Sequence, residues 1–318
     1  MIKNTVFFDH DGGVDDLLSL LLLLSTPETE LAGVVVTPAD CYPGYAADAS
    51  RKLMDLMGET NATVAISTVR GVNTFPEVWR AQPYIVNALP ELLAIEKPTT
   101  PLSNREGVDF VVATLSQITK PVTYLMTGPC TTLVEALRKQ PEIRKKIKEI
   151  VWMAGAIHVA GNVRTYTHNG SAEWNVYWDA PSTHRLLNQK LPITLVPLDI
   201  TNHVPVGIPF LKRLAHQSQY DVSRLASVCW AITINSIPGY DYLYHMWDVL
   251  ATTFAIQRSL FSTQTMHVDV FTQPPNEGET VESPETGGLV TVVTKVSLEA
   301  FYDYLLTQLQ RNFTKEIK

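Results

Sequence analysis

Short runs of continuously apolar residues alternate along this chain with stretches of helical character, and that alternation limits the fold more than any other feature. Residues 5–8, 33–36, 64–66, 122–126, 150–153 and 193–196 read as strands. Strands with one wet face alternate apolar and polar residues, whereas mostly apolar runs suit parallel strands buried on both faces. Residues 15–24, 45–57, 107–118, 133–138 and 180–187 read as the helices between them. The expected fold is therefore α/β, with an open, mainly parallel, Rossmann-like central sheet flanked by helices. Residues 274–288 are expected to loop between two late strands, 266–271 and 289–293, before a closing helix over 298–309. No repeat, linker or composition break divides the chain, so residues 1–318 are expected to form one domain.

Hydrophobic residues make up 45% of the chain and charged ones 18%, enough apolar material for a full core and too much for disorder. With 25 Lys and Arg against 32 Asp and Glu, the net charge of −7 offers no electrostatic footprint for nucleic acid or an anionic membrane surface. Cys41, Cys130 and Cys229 are far apart and in no CxxC pattern, which argues against a disulfide framework or a zinc site. Reduced thiols and a cytoplasmic location are expected. Residues 17–24 are strongly apolar but fall well short of the ~20 residues that span a bilayer, so they are expected to form a buried helix. The apolar run at the N-terminus meets Asp9 at once and does not read as a signal peptide.

In open parallel sheets ligands bind at the carboxyl ends of the strands, and the first strand ends in an unusual turn. Asp9-His10-Asp11-Gly12-Gly13-Val14-Asp15-Asp16 places four carboxylates within eight residues, with two glycines allowing a tight turn. Helix capping accounts for one or two of them. Four at one sheet edge repel one another unless a cation sits among them, and hard oxygen ligands select calcium or magnesium over zinc. The turn lacks the GxGxxG of a dinucleotide site and the Gly-Lys-Ser/Thr of a phosphate loop. A haloacid-dehalogenase phosphatase also begins strand-Asp-x-Asp-Gly, but the later Gly-Asp element of those enzymes is missing here, which leaves it the minor rival.

Other strand ends supply further candidates. Thr127-Gly128-Pro129 follows the fourth strand and is a break that can aim a carbonyl at a ligand, although an ordinary turn reads the same way. Gly161-Asn162 and Ala172-Glu173-Trp174-Asn175 follow the fifth, and Asp40 follows the second. Tyr244, His245, Trp247 and Asp248 lie in an aromatic-dense stretch that opens an apolar helix, and Trp79 lies in the Pro-containing Phe75–Arg80 segment. Dense aromatics are more often core than ligand cage, but a Trp before a helix-starting Asp is placed to offer a stacking face.

Taken in order, these stretches resemble the nucleoside hydrolase family, calcium enzymes that cleave ribonucleosides into base and ribose. The resemblance runs from Asp9 to about Phe301. It is closest to the purine-preferring inosine-adenosine-guanosine subgroup, which carries Trp-Asp, as in Trp247-Asp248, where other members have His-Asp. Asp40-Cys41 and Phe-Pro-x-x-Trp-Arg match that subgroup too. The resemblance implies calcium held by Asp11, Asp16, the Thr127 carbonyl and Asp248, with Asp11 as general base toward a calcium-bound water. It implies ribose hydroxyls held by Asp15, Asn162, Glu173, Asn175 and Asp248. It places the base between Trp79 and Trp247, with Asp40 at its edge. The subgroup has an Arg just before the Trp-Asp pair; no Arg occurs over residues 239–246 here, and Tyr244 and His245 stand as substitutes. Asp9 is near the cluster without being an implied ligand. A small-molecule nucleoside substrate and a homodimer, with a tetramer as the alternative, complete the implied picture. A calcium-dependent nucleoside-binding protein without turnover is the rival of another class, and Asp11 argues against it.

Overall fold

The computed structural model describes residues 4–39, 41–59, 61–74, 80–236 and 243–314. Its strands are β1 (Asn4–His10), β2 (Thr29–Val36), β3 (Val64–Ile66), β4 (Val122–Met126), β5 (Ile147–Trp152), β6 (Ile193–Leu195), β7 (Pro205–Val206), β8 (Tyr244–His245), β9 (Phe261–Val270), β10 (Thr280–Glu282) and β11 (Gly288–Val296). One nine-stranded sheet runs in the order β10-β9-β11-β6-β5-β4-β1-β2-β3, and β7 pairs with β8 apart from it. β1 to β6 are parallel to their neighbours and β11 is parallel to β6. β9 and β10 extend the edge as antiparallel strands.

The continuous apolar runs are explained by layers on both faces. Successive side chains of a strand point to opposite sides. Val6 and Phe8 accordingly enter the layer that holds the helix Val14–Ser25, while Phe7 enters the other and stacks on Tyr124 at 5.0 Å. Leu17, Leu18 and Leu20 to Leu23 are all buried, as expected for a helix apolar on every side. Among the described residues no helix is long and apolar enough to cross a membrane.

The expected α/β sheet is the one found, and β3 and β4 have the expected bounds. The segment expected to loop over 274–288 contains β10, a strand too short to display a period of its own. Helices Ile208–Ala215 and Asp221–Ser236 add to the elements expected from the sequence.

What matters for function is where the strand order turns. From β3 to β6 the order is 3-2-1-4-5-6, so the chain leaves β1 toward β2 on one side and later returns to β4 on the other. A crevice opens between the carboxyl ends of β1 and β4 at such a switch point. β1 ends at His10 and β4 at Met126, which puts the acidic turn and Thr127 side by side.

Candidate active site

The turn after β1 is tight because Gly12 adopts a φ of +94°, and a Cβ there would meet Ala46 at 2.4 Å. Asp16, the third residue of the helix Val14–Ser25, accepts the Gly13 N–H through Oδ2 at 2.7 Å. Val14 donates its N–H to Gln82 Oε1 at 3.0 Å. Capping therefore accounts for one oxygen of Asp16. The other accepts the Thr127 hydroxyl, and the same carboxylate is in hydrogen-bond contact with Asp11. Burial raises the pKa of Asp16, and the contact between two buried carboxyls demands a shared proton or a cation.

Asp15 faces the other way. Its Oδ2 accepts the N–H groups of Asp248 at 2.6 Å and Val249 at 3.2 Å, while Oδ1 is buried with no hydrogen-bond partner among the described residues. Burial pushes this carboxyl up to about 7. Asp9 belongs to the framework beneath. Thr37 donates to its Oδ1 at 2.6 Å and Tyr124 to its Oδ2 at 2.9 Å, and burial pushes it up to about 7 as well.

Thr127 follows β4 directly, and its carbonyl accepts Asn175 Nδ2 at 2.9 Å. The same amide donates to the Met153 carbonyl at 3.0 Å, joining the ends of β4 and β5. Glu173 caps the short helix Trp174–Trp178, accepting from Asn175 N at 2.9 Å, and also takes the Gly155 N–H at 3.1 Å. Desolvation pushes Glu173 up to about 7 despite these donors. Asn162 joins the group by accepting the Trp174 N–H at 3.0 Å.

The β7–β8 pair sets the aromatic side. Val206 is in register with Tyr244 and Pro205 with His245. Trp247 opens the helix Trp247–Ile256 and meets Tyr244 edge-on, with ring centroids 4.8 Å apart at 74°. The His245 ring lies 5.8 Å from the Trp247 ring, and burial lowers its pKa. Asp40 and Trp79 fall outside the described residues. Their neighbours are tied together: Cys41 donates its N–H to the Asp11 carbonyl at 3.3 Å, and Tyr42 donates to the Arg80 carbonyl at 3.1 Å.

The structure thus brings together Asp11, Asp16, Thr127, Asn175 and Glu173, with Asn162 joined through Trp174 and Asp248 through Asp15. Among the described residues no three His, Cys, Asp or Glu side chains stand close enough to form a metal centre by themselves. The Asp11–Asp16 pair and the Thr127 carbonyl nonetheless fit a hard cation in donor chemistry, since all are oxygens and two are buried carboxylates in contact. Sequence reasoning passed over the supporting residues. Gln82, Thr37 and Tyr124 hold the turn, the Trp230 indole approaches Asp15, and Asp199 and Thr280 hold the loop after β5. Asp199 lies just beyond β6, where inspection of every strand end would have reached it.

A doubly wound sheet with buried carboxylates gathered at its switch point places the protein among the α/β folds that bind small molecules at the carboxyl ends of their strands. The particular family follows from comparison. The inosine-uridine preferring nucleoside hydrolase model matches residues 6–303, and the protein belongs to that family. It is 39% identical to an inosine-uridine preferring nucleoside hydrolase from Bacillus anthracis, with a TM-score of 0.91 over 96% of this chain and 99% of that one. An uncharacterized protein of Schizosaccharomyces pombe is 29% identical over 215 residues, 66% of each chain. The pyrimidine-specific ribonucleoside hydrolase of Escherichia coli O7:K1 is 26% identical over 216 residues, 65% of this chain and 64% of that one. The matches to these two curated relatives therefore span just under two thirds of their length.

Proposed function

We propose that the protein hydrolyses the N-ribosidic bond of ribonucleosides, purine ribonucleosides first, to free base and ribose. The observation that carries this reading is the buried meeting of Asp11, Asp16 and Thr127 at the switch point, with Asn175 on the same carbonyl. Cleaving such a bond builds an oxocarbenium-like ribose, which a water-poor pocket of carboxylates stabilises. Asp11 is the base that takes the proton of the attacking water. The unpartnered Oδ1 of Asp15 accepts a ribose hydroxyl, and Asn162, Glu173, Asn175 and Asp248 hold the sugar with it. Asp11, Asp16, the Thr127 carbonyl and Asp248 would hold calcium, which would supply Lewis-acid activation there. Trp247 offers its indole face to the base, and Trp79, Asp40, Tyr244 and His245 are assigned to the base with it. A homo-oligomeric assembly, a dimer or a tetramer, belongs to the same reading.

The test is release of free ribose from inosine, guanosine, adenosine, uridine and cytidine, with and without chelator. Purine turnover that chelation abolishes is expected; binding without ribose release would leave only a nucleoside-binding protein. A second reading, a hydrolase that takes inosine and uridine alike, is favoured by the 39% identity to the Bacillus anthracis protein of that description. Comparable kcat/KM for inosine and uridine would select it.

A further inference from the structure

The loop that follows β5 is held by residues outside the group just described. Gly155 sits at a φ of +91°, where a Cβ would lie 3.1 Å from Thr280 Oγ1. The Thr280 hydroxyl, buried on β10, accepts the Ala156 N–H at 2.9 Å and donates to the Ala156 carbonyl at 3.0 Å. Asp199 accepts the next two N–H groups, Ile157 through Oδ2 and His158 through Oδ1, both at 2.8 Å. Leu198 donates to the Gly155 carbonyl at 2.8 Å. Every polar backbone atom from Gly155 N to His158 N, apart from the Ile157 carbonyl, is thus accounted for by a named partner.

The partner of Gly155 N is Glu173. Whatever fixes Gly155 therefore fixes Glu173, and through Asn175 the carbonyls of Met153 and Thr127. The segment that delivers Thr280 braces the same region twice more. Pro275 accepts the Asn169 N–H at 2.9 Å, and His168 contacts the Glu277 carbonyl at 2.8 Å. Both histidine and asparagine lie between Asn162 and Glu173 in the chain. The antiparallel extension of the sheet is tied to the sugar side of the site, although it contributes no residue to it.

We propose that Thr280 and Asp199 are positioning residues for the ribose end of the site, fixing Glu173 through the Gly155–His158 backbone. The inference rests on the function proposed above. A displacement of about 1 Å at a site that orients substrate costs up to ~10²-fold in rate. Removing either clamp leaves backbone N–H groups unpaired and lets the loop shift.

The experiment compares wild type, Thr280→Val, Thr280→Ser and Asp199→Asn on inosine and on its 2′-, 3′- and 5′-deoxy forms, with melting temperatures measured alongside. Thr280→Val and Asp199→Asn are expected to lower kcat/KM for inosine by roughly 10- to 100-fold. Discrimination against at least one deoxy form contracts by a similar factor, because the group that reads that hydroxyl is misplaced. Thr280→Ser keeps the hydroxyl and retains both. Equal slowing of all four substrates, no slowing, failure of Thr280→Ser to rescue, or unfolding of both clamp variants would show a merely structural role and overturn the proposal. A wild type that releases no ribose would overturn the proposed activity, and the inference with it, a distinct result.

Discussion

Asp15 accepts the backbone N–H of Asp248 at 2.6 Å across a separation of 233 residues. It accepts Val249 N at 3.2 Å too, and so caps a helix whose own N-cap, Met246, provides no side-chain hydrogen bond. A residue in the first turn of the helix after β1 thereby determines where Trp247 and Asp248 stand.

Asp15 is predicted to separate capping from chemistry. Asp15→Ala loses the cap, worth about 0.5–2 kcal/mol, and a few degrees of melting temperature. Asp15→Asn keeps an acceptor for the two N–H groups but loses the charge offered to the ribose. It is expected to melt near wild type while kcat/KM falls ~10- to 100-fold, the worth of a charge-assisted bond of about 1.5–3 kcal/mol. Full activity in Asp15→Asn would reduce this residue to a cap.

Asp11→Ala is predicted to lower kcat by at least ~10², the usual scale for a general base, with nucleoside binding less affected. Calcium content must be measured on the same sample, because the substitution also removes a proposed ligand. Normal turnover would dismiss Asp11 as the base.

The buried carboxyls make stability depend on pH. Asp9, Asp15 and Glu173 are each raised to about 7, from 3.8, 3.8 and 4.5, so the folded protein binds these protons more tightly than the unfolded chain. Stability therefore falls as pH rises wherever the folded state holds the extra protons. The contribution is fully present below the unfolded values, near pH 4, and is lost as pH passes the folded values near 7. The calcium-free protein is expected to melt at a lower temperature at pH 7.5 than at pH 5, and Glu173→Gln to flatten part of that slope. Added calcium should raise the melting temperature at pH 7.5. A profile flat from pH 5 to 7.5 would contradict the desolvation of these groups.

The sheet was legible because its strands are buried on both faces and leave unbroken apolar runs, as Phe7 and Phe8 show by entering opposite layers. The acidic turn was legible because four carboxylates at one strand end need a physical reason. Helix Asp221–Ser236 was passed over although Val222, Leu225, Ala226, Cys229 and Trp230 carry helical spacing and are all buried. Its β-branched residues favour strands in isolation, and packing decides the matter. Thr280 carries no local mark at all, and Asp199 carries only its place just beyond β6. Their roles come from N–H groups 124 and about 40 residues away, which only the fold brings near.

Purine preference is the prediction that leans most on one side chain. Trp247 meets the buried Tyr244 ring edge-on, and the His245 ring lies 5.8 Å from it with a pKa lowered by burial. A stacked base gains ~1–3 kcal/mol from an aromatic face, or roughly one to two decades in affinity, and a purine offers more area than a pyrimidine. A leaving purine can also be protonated at N7, a site pyrimidines lack, so a transition-state gain of similar size adds to the stacking. Inosine, guanosine or adenosine is expected to exceed uridine and cytidine by at least ~100-fold in kcat/KM. Trp247→Ala removes the face and leaves a gap against Tyr244, so it should lower both melting temperature and the inosine/uridine ratio. Trp247→Phe, which refills most of the gap with a smaller ring, should recover stability more fully than preference. If Trp247→Ala melts early but keeps the wild-type ratio, Trp247 is packing beneath the helix and the purine preference must come from elsewhere.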